Sequence, residues 1–230
     1  MDFARFVQIY LVQGGFALFF LYMAYIVLKR GKKHLHLYLS SFYLTTAIGG
    51  IINIIYANIF DATIVYIMHF LTYYLFCFSM VFLLLFTLIL IKPAEKIKIK
   101  FQLLLLVIFG LLILGLLFIP NGIIIDESTN WKPDWSWIFF IYSIIVCTSI
   151  VILPNLYYSI KIYTKFENEY LKKKLKYFLI GISAYFFLYY GTSFSNTLNN
   201  DTFRFIWSLI SLPTLISLYL IYHGVGRQLE

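Results

Sequence analysis

Charged side chains are scarce in this sequence, and that scarcity excludes a soluble globular protein of ordinary composition. Asp, Glu, Lys and Arg make up 12% of the 230 residues, about half of their share in a typical soluble domain. Hydrophobic residues account for 62% of the chain, and the mean hydropathy is +0.86. The composition therefore predicts an integral membrane protein whose main partner is the lipid bilayer.

Cysteine is also rare, and its placement argues against a disulfide framework. Cys77 and Cys147 are the only two, and both lie within apolar runs rather than in loops. Their number and spacing fit neither a disulfide scaffold nor a metal site, so we interpret them as small buried hydrophobic residues. A cleavable signal peptide is not expected, because the first apolar run, from about Phe6 to Leu28, is too long for one and no A-x-A site follows it.

No acidic or basic side chain lies near the middle of an apolar stretch, which disfavours ion pumps and proton-coupled carriers. The last stretch, 203–223, lacks the lysine that a retinal Schiff base requires. Neither G-x-S-x-G nor H-E-x-x-H occurs. His34 and His36 fall in a predicted loop and His223 near a helix end, so His69 is the only histidine expected within a span. We therefore predict no enzymatic activity, no metal, no cofactor and no nucleic-acid partner.

Seven stretches are apolar enough to cross a bilayer as helices, which requires about 20 residues each. They are roughly 4–28, 36–58, 62–91, 101–119, 137–160, 177–198 and 203–223. No stretch shows the alternation of a membrane barrel strand, and no internal repeat is evident. The prediction is an all-α fold in which residues 1–230 form one domain, a bundle of seven transmembrane helices.

Positive charge is divided unevenly between the two sides of these predicted helices. Four Lys or Arg residues lie in 29–36, four in 92–100, six in 161–176 and one at Arg227, so fifteen of the 18 share one side. The exceptions are Arg5, Lys132 and Arg204. Because basic residues remain in the cytoplasm, we predict a multi-pass protein of the cell membrane with the N-terminus outside and the C-terminus cytoplasmic.

Uncharged polar and aromatic side chains recur at helical spacing in the predicted outer half of the bundle. The candidate ligand-binding residues are Asn53 in the second helix, His69 and Tyr73 in the third, Tyr189, Ser193 and Asn196 in the sixth, and Trp207 and Ser211 in the seventh. Polar groups at membrane depth face protein or a cavity rather than lipid. Two interpretations stay open: hydrogen bonds between helices, worth on the order of 1 kcal/mol each, or an outward-open pocket for a small, weakly polar ligand.

All four tryptophans, Trp131, Trp135, Trp137 and Trp207, fall on the predicted outer side. Such a distribution is typical of an interfacial belt; the alternative is that 120–136 folds over the bundle as a lid. Within the seventh stretch, Pro213 is expected to kink the helix because proline removes a backbone donor.

The plan of seven helices resembles the N-terminal sensor regions of microbial histidine kinases and related signalling proteins. The residues that carry the resemblance are "LKYFLIGI" (175–182), with its basic lead-in, and "LYLIYHGVGRQ" (218–228). The resemblance implies a sensor or receptor that binds a small ligand in the outer half and transmits a helix shift to the cytoplasmic side. That family carries an output domain after the last helix, whereas this chain ends seven residues after His223. The output is then absent, was removed, or lies on a cytoplasmic signalling partner; a homodimer also stays open.

Two other classes of function are weighed against the sensor. Small-solute transporters of the SWEET type also have seven helices with the N-terminus outside, but usually carry a Pro-Gln pair in each triplet of helices. None of the five prolines here precedes Gln, and 4–91 shows no evident similarity to 137–223. A membrane-embedded enzyme is the third alternative. A dead-end pocket in the outer half would favour sensing, and a through-going or midplane cavity would favour transport.

Overall fold

The computed structural model describes residues 3–91 and 97–225, and most of them are helical. Helices are the expected conformation of apolar runs in lipid, because a helix satisfies its backbone polar groups internally. Helix α1 covers 3–30 and includes a π-helical segment, Val7–Gln13. The next helices are α2 His34–Tyr56, α3 Ala62–Ile91, α4 Ile99–Leu114, α5 Trp137–Lys165, α6 Glu169–Leu198, α7 Asp201–Ser211 and α8 Thr214–Gly224. A 3-10 turn, Gly115–Phe118, extends α4, and a π-helical segment, Thr148–Ile152, lies inside α5.

The predicted all-α helical bundle is confirmed. Six of the described helices are long and apolar enough to cross a membrane, and a seventh is obtained if α7 and α8 count as one span. The axes of Asp201–Ser211 and Ile216–Gly224 differ by 42°. Pro213 lies at the break between them, where its missing N–H and its ring interrupt the helical hydrogen bonds.

One prediction at the basic end is wrong. His34 and His36 belong to α2 rather than to a loop, and His36 is buried with its ring against Gly31. Helix α6 begins at Glu169 and therefore extends eight residues beyond the predicted span 177–198 into the basic lead-in. The Asn168 side chain caps it by accepting the N–H groups of Tyr170 and Leu171.

Successive long helices alternate in direction, so the connections gather at two ends of the bundle. One end, the lysine end, holds 31–33, 166–168 and the end of α8, and its basic residues include Lys29, Lys33, Lys165 and Lys172. The other, the cap end, holds 57–61, 119–136 and 199–200. The predicted cytoplasmic residues Lys92, Lys96 and Arg227, and positions 226–228 of the second resembling segment, lie outside the described residues.

Residues 119–136, the cap segment, fold over the cap end. Two short strands, β1 Ile123–Ile124 and β2 Asp134–Trp135, pair antiparallel. Trp135 is buried, and so is Trp207 on α7; an interfacial belt therefore does not describe these two rings. Trp137, at the start of α5, is half exposed, so a position at the membrane interface stays the interpretation for this ring. The cap segment lies over the end of the bundle, which is the position expected from the alternative that 120–136 forms a lid.

A candidate ligand cavity at the cap end

A cavity of about 480 Å³ lies under the cap segment, and its lining residues come mainly from α1, α3, α6 and α7, with a few from α2 and α8. Its wall on α6 is one helical stripe: Tyr185, Leu188, Tyr189, Thr192, Ser193, Ser195 and Asn196. Tyr185 and Asn196 are eleven positions apart, which corresponds to about 16 Å along a helix. The cavity is therefore elongated along the bundle axis.

A second stripe, on α3, faces the first and changes character with depth. From the cap end downward its lining residues are His69, Thr72, Tyr73, Phe76 and Met80. They recur at intervals of three or four residues, which places them on one side of the helix. The upper members carry polar atoms and the lower two are apolar.

Seven of the eight residues predicted from the sequence line this cavity: Asn53, His69, Tyr73, Tyr189, Ser193, Asn196 and Trp207. Ser211 does not belong to the lining, although it was placed on one stripe with Trp207. It is fully buried, and its hydroxyl donates to the Ser208 carbonyl oxygen at 2.9 Å. A serine that bonds back to its own helix has met its polar requirement locally, and periodicity alone does not register this.

His69 joins the cavity wall to the cap segment. Its Nε2 accepts the indole N–H of Trp135 at 3.1 Å, and its Nδ1 lies 2.7 Å from the Tyr56 hydroxyl. Because an indole can only donate, Nε2 carries no proton in this arrangement. A neutral ring therefore has its proton on Nδ1, which donates to the Tyr56 oxygen. A doubly protonated His69 could not accept from Trp135.

The tyrosine hydroxyls in the wall bond to a residue behind it. Ser143 on α5 is fully buried and bonds both Tyr73 and Tyr189, the second at 2.7 Å between oxygens. Ser143 is not part of the lining, so these hydroxyls serve helix–helix contact while the rings border the cavity. The two interpretations of the polar residues, bundle stabilisation and pocket lining, thus apply to the same side chains.

Charged side chains meet at the mouth of the cavity. Lys132 Nζ lies 2.7 Å from Asp201 Oδ1, and Arg204 Nη2 donates to the Pro133 carbonyl oxygen at 2.6 Å. These four residues line the cavity and tie the cap segment to α7. In the sequence, Lys132 and Arg204 stand out only as exceptions to the charge distribution, and that exceptional position is the signal that could have singled them out.

Below its base the bundle is closed by packed side chains. The deepest lining residues include Met80, Tyr185 and Leu218. Towards the lysine end, fully or almost fully buried side chains follow from five helices: Val27, Leu39, Tyr43, Leu83, Phe86, Phe178, Ile182 and Ile221. A separate groove of about 140 Å³ at the lysine end, bounded by Leu90 and Ile162 among others, shares none of the described lining residues. The cap-end cavity thus ends inside the bundle.

The described residues contain no group of three or more His, Cys, Asp or Glu side chains placed to hold a metal ion. No protein-family model, curated protein or solved structure matches the chain.

Proposed function

We propose that the protein is a membrane sensor or receptor that binds a small molecule in the cap-end cavity and passes a helix displacement to the lysine end. The cavity that ends inside the bundle is the observation that carries the proposal. Its volume, about 480 Å³, falls in the usual range for small-molecule sites, and its mixture of aromatic walls with a few polar groups is typical of them. A through-going cavity would favour a transporter instead, and the packed lysine half closes this one at its base.

The orientation proposed for this function places the cap end outside the cell, since fifteen of the 18 basic residues lie towards the other side. Two matched substitutions test it, Glu127→Cys in the cap segment and Glu167→Cys between α5 and α6, both at exposed positions. Cys77 and Cys147 are fully buried and give little background. A membrane-impermeant maleimide should label the first variant in intact cells and the second only after permeabilisation; the reverse pattern would overturn the orientation.

A mechanical route leads from the cavity to the lysine end. Trp207 borders the cavity on α7, and α7 continues into α8 through the break at Pro213. Helix α8 crosses α6 closely at Gly181, where an added Cβ would lie 2.6 Å from the Ile221 backbone nitrogen. A ligand that displaces Trp207 would therefore move a helix whose far end rests on α6, the kind of shift that broken helices use in switching.

A side chain that fills the cavity can stand in for a bound molecule. In the variant Ser193→Phe, an aromatic ring would occupy the space that Ser193 borders. Spin labels at Lys176→Cys on α6 and Tyr219→Cys on α8, both exposed, would report the separation of these helices between the base of the cavity and the lysine end. The control is Ile180→Phe, at an exposed position of α6.

We expect Ser193→Phe to shift the distance distribution and Ile180→Phe to leave it unchanged. Equal distributions in folded protein would contradict transmission from the cavity. Solute flux into vesicles that is blocked by Ser193→Phe would support the transporter instead.

A further inference from the structure

We infer that the cavity takes a single-chain amphiphile with a carboxylate head group, the head at the cap end and the apolar tail directed to the base. This assignment rests on the proposed function in that it requires the cavity to bind a ligand. It is carried by the shape of the cavity, by the order of polar and apolar groups along it, and by the charges at its mouth.

The first step is the shape. The lining extends about 16 Å along the bundle axis, from the eleven positions between Tyr185 and Asn196, and the volume is about 480 Å³. An elongated space of this volume suits one extended chain that lies along the bundle axis.

The second step is the order of side chains with depth. On α3 the lining passes from His69 near the cap to Phe76 and Met80 at the base. The chain 201–218 repeats this order, with Arg204 at the mouth and Leu218 at the base. An amphiphile bound with its head at the mouth would match the change from polar to apolar side chains along both walls. A uniformly polar solute would not match the apolar residues at the base of either wall.

The third step concerns hydroxyl groups in the deeper half. The Tyr185 hydroxyl lies 2.7 Å from Ser79 Oγ and 3.3 Å from Thr46 Oγ1, and neither partner lines the cavity. The Tyr73 and Tyr189 hydroxyls are likewise engaged with a residue behind the wall. A sugar placed there would lose its hydration without equivalent partners, which is costly for each unpaired polar group. The tyrosine rings offer carbon surface to a tail instead.

The fourth step is the head group. The described lining residues include two cations, Lys132 and Arg204, and one carboxylate, Asp201, so their formal charge is +1. A guanidinium presents several N–H donors in a plane that fits a carboxylate with two hydrogen bonds. Among these described residues the cations outnumber the carboxylate, which favours an anionic head over a cationic one, and a neutral head would forgo the charge-assisted bonds.

Three probes with the same tail and different heads test the assignment: decanoate, decanol and decyltrimethylammonium. The protein should be held in lipid nanodiscs, because detergents are themselves amphiphiles. Calorimetric binding, corrected with empty nanodiscs, should give a Kd for decanoate at least about 10-fold lower than for decyltrimethylammonium, equivalent to about 1.4 kcal/mol. Hexanoate, with the same head and a shorter tail, should bind more weakly than decanoate.

Two variants separate head from tail. Arg204→Gln should remove the preference for decanoate over decanol while decanol still binds, and Leu218→Trp should reverse the preference for decanoate over hexanoate by filling the base. Lys176→Gln, which removes an exposed cation at the lysine end, is the control and should change neither preference. Equal affinity for decanoate and decanol in the unsubstituted protein would overturn the carboxylate assignment.

The outcome also distinguishes this inference from the proposed function. If none of the probes binds but Ser193→Phe still shifts the distances at the lysine end, the amphiphile is wrong and the sensor proposal stands. If decanoate binds with the expected selectivity and Ser193→Phe shifts nothing, the ligand class is right and the transmission is wrong.

Discussion

The contact between Gly191 on α6 and Trp207 on α7 allows a sharp test of how the cavity wall is held. A Cβ added at Gly191 would overlap three atoms of the Trp207 indole ring. The ring would have to move by more than about 1 Å to recover an ordinary carbon–carbon separation of about 3.5 Å. The indole N–H that donates to Thr192 Oγ1 at 3.1 Å moves with it, so the variant Gly191→Ala strains packing and a hydrogen bond together.

The expected cost follows from these two terms. Overpacking in a well-filled interior costs about 1–3 kcal/mol, and a lost hydrogen bond about 1 kcal/mol. Replacing glycine by alanine within a helix returns up to about 1 kcal/mol. We therefore expect Gly191→Ala to lower the free energy of unfolding by about 1–3 kcal/mol, measured by SDS titration of the purified protein.

The control is Gly14→Ala in α1, where an added Cβ would meet its nearest neighbour, Ile54, at an ordinary 3.4 Å. That variant should be neutral or slightly stabilising. Trp207→Leu should relieve the overlap, so Gly191→Ala should cost little in that background, with a coupling free energy of about 1–2 kcal/mol. Additive effects of the two substitutions, or a Gly191→Ala variant as stable as Gly14→Ala, would refute the geometry.

Three further predictions concern the cap segment and the chromophore. His69→Phe leaves the buried Trp135 N–H without its acceptor, so we expect a loss of about 1–3 kcal/mol and faster deuterium exchange in the cap segment; unchanged exchange would contradict the linkage. Hydrogen bonds from the Ser128 hydroxyl and from the N–H groups of Thr129 and Ser128 lower the pKa of Asp126. The ionised carboxylate therefore stabilises the turn fully at pH values above the ordinary aspartate pKa of about 3.9. This stabilisation is lost as the pH falls through the lower pKa of the folded state. Protease cleavage of the cap segment should therefore rise in acid for the unsubstituted protein and depend less on pH for Asp126→Asn, the opposite trend excluding this role. All-trans-retinal should form no borohydride-reducible Schiff base in the bundle, because α7 and α8 contain no lysine; a reducible, coloured adduct would show an unforeseen site.

Those parts of the fold that depend on local sequence could be predicted. The bounds of α3 coincide with the predicted 62–91, because the apolar run is uninterrupted and begins just after Asp61, whose side chain accepts the Ile64 N–H at 2.9 Å. The shared face of His69 and Tyr73 on α3, and that of Tyr189, Ser193 and Asn196 on α6, followed from spacing alone, since a helix repeats every 3.6 residues whatever surrounds it.

The contacts that give the cavity its roof could not be predicted in this way. Trp135 meets His69 across 66 positions of sequence, and Lys132 meets Asp201 across 69. Hydropathy assigns such residues to loops and helix ends but does not pair them. The break at Pro213 was expected from the sequence. That Ser211 bonds within its own helix rather than lining the cavity depends on packing, which the sequence does not give.

The basic residues at the cap end bear both on the membrane orientation and on the proposed ligand. Basic residues on the cytoplasmic side help to set the orientation of a membrane protein in the bilayer, so basic residues on the other side oppose that orientation. Under the proposed orientation Lys132 and Arg204 lie on that side, and each makes a short contact that joins the cap segment to α7. Under the proposed function these contacts border the same mouth at which a carboxylate would bind. A bound anion would then compete with Asp201 for Lys132 and with the Pro133 carbonyl for Arg204, and the roof of the cavity would respond directly to its occupancy.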